Sequence, residues 1–131
     1  MLTNDKNELI PKGTVLGLKM GLYNHYAIYD GNNHVIHNSK KHGKVVRESL
    51  IDFYEGKTIF ISDIQGPNFH NAYHNAEQYL GMRYNLFEEN CEHFVRKMHG
   101  LVKESKQVKV GLVVVAAAAL AYLLRPKREK Y

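Results

Sequence analysis

The chain is expected to fold as one α+β domain, an antiparallel sheet covered by helices. Three observations predict it. Residues 13–63 carry β-branched and aromatic runs broken by turn signals. From Pro67 onward the apolar residues recur at helical spacing instead. The strands come first and the helices after, which favours an antiparallel sheet over alternating βαβ units.

Residues 1–12 form a polar lead-in with Pro11 near its end. Thr14–Lys19 reads as the first strand. His25–Asp30 reads as the second, with His25, Ala27 and Tyr29 on one face and Tyr26, Ile28 and Asp30 on the other. Gly31-Asn32-Asn33 supplies a turn and His34–Asn38 returns as the hairpin partner. Ser39–Lys44 is a polar, basic loop. Val45–Glu48 and Thr58–Ser62 are further strands, separated by a short helical turn at Leu50–Tyr54. A helix is predicted over Asn68–Leu80, with Phe69, Tyr73, Ala76 and Leu80 on its apolar stripe and Gly81 as its stop. Tyr84–Glu89 connects it to a last helix starting at Cys91, whose core face carries Phe94, Val95, Met98, Leu101 and Val102.

The 131 residues suffice for one domain with a modest core. A single cysteine argues against a disulfide-stapled secreted fold, and the polar first 12 residues lack the apolar core of a signal peptide. The net charge of +5 belongs to the tail: residues 1–102 hold 11 basic and 11 acidic side chains, residues 103–131 hold 7 and 2. Nucleic acid is therefore not an expected partner. The tail charges flank Val110–Leu124, 15 residues without a charge. A spanning helix wants about 20 apolar residues, but this run has no polar face and is basic at both ends. We read residues 13–104 as the globular domain and 105–131 as a C-terminal, single-pass membrane anchor, which leaves the domain on the cytoplasmic side.

Cys91 opens its helix behind Asn90, a good N-cap, with Glu92 in the first turn. A lone thiol is often mere packing. At a helix N-terminus, however, the positive end of the dipole favours the nucleophilic thiolate. Such a nucleophile needs a base, and the base needs an orienting group. Of the eight histidines, His25 and His37 stand out, because the 31–33 turn makes them cross-strand neighbours. His34 and His42 flank turns. His70 and His74 are one helical turn apart, without a third metal ligand. His93 and His99 project away from the Cys91 face and are expected in solvated or capping roles. Neither metal nor cofactor is expected.

Two blocks carry a resemblance. His25-Tyr26-Ala27-Ile28-Tyr29-Asp30-Gly31 with Val35-Ile36-His37, and Tyr84 to Val95 with its Asn90-Cys91-Glu92-His93-Phe94-Val95, resemble the histidine and cysteine blocks of the lecithin retinol acyltransferase-like family, which includes the H-Ras-like suppressor phospholipases and acyltransferases. The resemblance covers roughly residues 13–124. It implies a permuted papain-like (NlpC-type) fold, with Cys91 as nucleophile, His25 as general base and His37 as its orienting partner. It adds, weakly, Tyr23 as an oxyanion group. Tyr26 stands where the family often has tryptophan, and the stretch from His37 to Cys91 is shorter than in many relatives.

The implied reaction is that of a thiol-dependent phospholipase A or acyltransferase. Its partners would be a phospholipid membrane and an acyl acceptor (water, an amine or a hydroxyl), and a monomer is expected. Two rival readings are a cysteine amidase or peptidase of NlpC type, and a non-catalytic, membrane-anchored interaction module with Cys91 as packing.

Overall fold

A computed structural model of the chain describes residues 1–85 and 90–101. Val102, residues 86–89 and the apolar run of the tail with its basic flanks lie outside the described residues. Among the described residues no helix is long and apolar enough to cross a membrane.

Five antiparallel strands form one sheet: β1 (Val15–Lys19), β2 (Asn24–Tyr29), β3 (His34–Ser39), β4 (Lys44–Ser49) and β5 (Ile59–Ile61). Their order across the sheet is β4-β3-β2-β1-β5. Helix α1 (Leu50–Tyr54) follows β4 directly, capped by Ser49, whose hydroxyl accepts from the Asp52 N–H at 3.2 Å. A 3-10 turn (Phe69–Asn71) leads into α2 (Ala72–Glu77), and α3 (Cys91–Met98) completes the fold.

Alternation along the strands separates two cores. On one face Val15, Ile28, Ile36 and Val45 meet Ala72, Tyr73 and Ala76 of α2 and Phe94, Val95 and Met98 of α3. On the other face Leu16, Leu18, Ala27, Tyr29 and Val35 meet Leu50 and Phe53 of α1 and Ile10 of the lead-in. Gly17 is a packing requirement of the first face. A Cβ there would lie 2.2 Å from the Phe60 ring, which crosses β1 to stand edge-on to Tyr26.

One expectation needs correcting, and one alternative is decided. The helix predicted over Asn68–Leu80 is a 3-10 turn plus six α-helical residues, and Leu80 is exposed rather than on the buried stripe. Too few turns follow Pro67 for a four-residue stripe, and Gly81 bends the chain back at φ +91° so that its N–H donates to Val45 O. Of the solvated or capping roles expected for His99, it takes the capping one: it is the C-cap residue of α3 and is 0 % exposed. Its ring accepts from Gly66 N–H at 3.2 Å and donates to Gly13 O at 2.8 Å, tying the end of α3 to the start of β1.

Candidate active site

The site forms where the sheet opens. β1 pairs with β2 as far as Asn24, and β3 pairs with β4 as far as Ser39. Between them β2 and β3 pair only at Ile28 with Ile36 and Tyr29 with Val35. Beyond that point the two strands diverge into a fork. The odd-numbered residues of this hairpin point their backbone groups at β1: Tyr29 N–H donates to Thr14 O at 2.9 Å, and Tyr23 O accepts from Met20 N–H at 3.0 Å. The backbone groups of Asn24 and Tyr26 therefore face into the fork.

Cys91 occupies that fork. The Asn90 side chain accepts from His93 N–H at 2.8 Å, which fixes Cys91 as the first residue of α3. Its Sγ donates to Asn24 O at 3.8 Å and lies against the Tyr26 N–H. The thiol stands in for the missing β3 backbone and touches β2 on both sides of His25.

His25 and His37 project on the α1 face of the sheet, and their rings bridge the fork from that side. His25 Nε2 lies 2.8 Å from His37 Nδ1. The two are not directly opposed, because the register that pairs Ile28 with Ile36 offsets His25 from His37 by two residues. The rings themselves span the gap. Phe53 of α1 packs on both, with ring centroids 5.8 Å from His25 and 5.0 Å from His37. The far nitrogen of His37, Nε2, lies 2.5 Å from Glu48 Oε1. His42 Nε2 approaches the same oxygen at 3.5 Å. Among the described residues no hydrogen bond joins Cys91 Sγ to either imidazole.

The electrostatics overturn one expectation. At the helix N-terminus the thiolate was expected to be favoured, yet burial pushes the Cys91 thiol up to about 11. The thiol is 1 % exposed, and desolvation outweighs the N–H groups that would stabilise the anion. Burial also pushes His25 and His37 down to about 3, the charge of each neighbouring histidine adding to the effect and Glu48 partly opposing it at His25. The resting site is thus a neutral thiol beside two neutral imidazoles. Both rings keep a lone pair, as a base requires.

Tyr23 lines a cleft of about 140 Å³ with Leu18, Met20, His25, His37 and Phe53. A larger cavity of about 430 Å³ lies elsewhere, between the lead-in and β5, away from Cys91 and the His25–His37 pair. His93, expected in a solvated or capping role, is 4 % exposed. All of Cys91–Val95 at the start of α3 is buried. His70 and His74 are exposed, and no group of three or more His, Cys, Asp or Glu residues that could hold a metal exists among the described residues.

Two residues escaped the sequence reading. Glu48 lies opposite Val35 in the β3–β4 register, two pairs from His37 and so on its face. An acid alternating with Val46 at the end of a predicted strand was the available signal. Tyr84 sits beside Cys91 and Tyr23. Burial, then the Cys91 charge, then Tyr23 raise its phenol to about 12. It opens the Tyr84–Val95 stretch that carries the cysteine-block resemblance, but was given no role there.

The family model described as lecithin retinol acyltransferase matches residues 8–101. The chain belongs to the lecithin retinol acyltransferase family. The match contains Tyr23, His25, His37, Glu48 and Cys91, and ends before the apolar run of the tail. Among relatives in this family, phospholipase A and acyltransferase 3 of Mus musculus is 28 % identical over 155 aligned residues, covering 90 % of this chain and 93 % of the mouse protein. The protein of the same name from Pongo abelii is 26 % identical over 132 residues, with 82 % of each chain covered. The mouse alignment is longer than this chain's 131 residues, so it includes stretches of the mouse protein with no counterpart here.

Proposed function

We propose that the protein is a thiol-dependent phospholipase A or acyltransferase that carries an acyl group on Cys91. One observation carries the reading: a capped helix N-terminus seats the thiol against β2 on both sides of His25, and the imidazole of His25 heads a chain through His37 to Glu48. Membership of the lecithin retinol acyltransferase family supports it, as do relatives named phospholipase A and acyltransferase.

In the proposed reaction His25 takes the thiol proton as Sγ attacks the ester carbonyl of a phospholipid. A C–S bond forms and the ester C–O bond breaks. The lysophospholipid leaves with the proton returned by His25. Water, an amine or a hydroxyl then attacks the thioester and frees the thiol. The N–H groups opening α3 are available to the oxyanion, with Tyr23 as a further donor. Histidines that precede the nucleophile in the chain match the order of a permuted papain-like fold.

The cleft is far smaller than the roughly 300–1,000 Å³ of ordinary ligand pockets. It is too small for whole acyl chains, which fits a substrate whose chains stay in a membrane. The β1–β2 tip beside it presents Leu22, which is 102 % exposed, with Met20 also at the surface. We place the domain at a membrane surface, held by residues 105–131. Tethering of this kind raises the local lipid concentration.

The test is intact mass after incubation with phosphatidylcholine vesicles. A single acyl adduct is expected on the wild-type chain and none on Cys91→Ser. The rival reading, that Cys91 merely fills space, draws support from its near-total burial. It predicts no adduct on either protein.

A further inference from the structure

We propose that Glu48 is a positioning residue that sets which nitrogen of His25 carries the proton. The inference rests on the reaction proposed above, but its logic lies in hydrogen-bond directions. An ionised carboxylate only accepts. With Glu48 Oε1 at 2.5 Å, His37 Nε2 must therefore be the donor. A neutral imidazole has a single N–H, so His37 Nδ1 is left with a lone pair. That nitrogen lies 2.8 Å from His25 Nε2, so His25 Nε2 must donate. The lone pair of His25 is then on Nδ1, its only nitrogen not engaged by His37. Nδ1 is the atom left to take the thiol proton.

The chain runs equally well in reverse, which is why the carboxylate matters. If the group at residue 48 cannot accept, His37 is free to hold its proton on Nδ1 and donate to His25 Nε2. His25 must then carry its own proton on Nδ1 and loses the base. The backbone fixes the path. His37 and Glu48 sit on adjacent strands two register pairs apart, on the same face, and Phe53 packs on both imidazoles. Other charged groups near the carboxylate are His42 at 3.5 Å from the β3–β4 turn, with Lys41, Asp52, Glu55 and Lys57 around the same cleft. Lys41 is paired with Glu55 at 2.8 Å, so it does not compete for Glu48.

Two-bond ¹H–¹⁵N correlation spectra of the full chain report imidazole tautomers directly. At pH 7.5 the wild-type protein should show neutral His25 and His37, both with the proton on Nε2. Glu48→Leu should move the His25 proton wholly or partly to Nδ1. It should also slow acyl-adduct formation about 100-fold or more, in the range a lost base costs. Glu48→Asp, which keeps a carboxylate, should retain the wild-type tautomer. A wild-type His25 protonated on Nδ1, or a folded Glu48→Leu with an unchanged tautomer, overturns the proposal. If Glu48→Leu does not fold, the wild-type and Glu48→Asp spectra decide. The tautomer needs no lipid to be read. A protein with the stated tautomers but no acyl adduct therefore sinks the proposed reaction and leaves this inference standing.

Discussion

The two faces of this sheet are built from the same strands and put to different uses. The face under α2 and α3 is apolar along most of its length, from Val15 and Ile28 to Phe94 and Met98. The face under α1 begins in the same way with Leu16, Ala27 and Val35, then turns polar at His25, His37 and Glu48. The change falls where β2 and β3 part. While the ladder is closed, each face is sealed from the other by paired backbone. Once it opens, α3 can push a thiol into the plane of the sheet from one side while imidazoles bridge the gap from the other. The proposed chemistry would sit where the two faces meet. The first face holds the Cys91 thiol by packing, and the second holds His25 by hydrogen bonds.

That division can be broken from either side. Phe94 is fully buried among the apolar residues behind Cys91. Phe94→Ala should cost about 3–5 kcal/mol, the usual range for an emptied aromatic site. Urea unfolding followed by circular dichroism would measure it. Phe53→Leu on the other face should cost less, about 1–2 kcal/mol, since a smaller volume is removed. It should nonetheless disturb the imidazoles against which Phe53 packs. A larger stability loss for Phe53→Leu than for Phe94→Ala would reverse the assignment of structural and polar faces.

Acid tests the same contrast by a different route. His25 and His37 fall to about 3 in the folded protein, and burial lowers His99 as well. The unfolded chain binds these protons at about 6.5. A lowered folded value means that the unfolded state holds more protons between the two. The stability these groups confer is thus complete above about pH 6.5 and lost progressively down to about pH 3. The slope is about 1.4 kcal/mol per pH unit for each proton taken up on unfolding. Denaturant midpoints from pH 7.5 to 4 should fall accordingly, and His25→Gln with His37→Gln should flatten the fall. A midpoint independent of pH over this range would mean that the rings are solvated.

Much of the architecture was legible because it depends on local pattern. The hairpin turn at residues 31–33, the short helix at Leu50–Tyr54 and the Asn90 cap each declare themselves within a few residues. The errors have a common origin in tertiary burial. Cys91 was placed correctly on its helix, yet its acidity was misjudged, because a dipole argument knows the helix but not the sheet pressed against it. His93 and His99 project away from the Cys91 face on a helical wheel, yet both are buried in the fold. Glu48 is 11 residues from His37 and adjacent only once the β3–β4 register is known. The fork is a negative feature, a ladder that stops, and nothing in residues 24–29 or 34–39 announces where pairing ends.

The smallest expected effect tests how firmly the first face holds its thiol. The Asn90 side chain caps α3 through the His93 N–H at 2.8 Å, and Asn90 is itself buried. Asn90→Ala should cost about 1 kcal/mol as a lost cap. A loss of that size leaves the protein folded, so the consequence for Cys91 can be read separately. In the wild type the thiol is pushed up to about 11, so alkylation by iodoacetamide should be slow at neutral pH and still rising past pH 9. Without the cap the first turn of α3 frays and Cys91 leaves its seat on Asn24 and Tyr26. The alkylation profile should then shift toward the ordinary thiol value of about 8.5. If Asn90→Ala costs the expected stability but leaves the profile unmoved, the thiol is held by the packing of Phe94, Val95 and Met98 alone. The cap would then serve the helix and not the nucleophile.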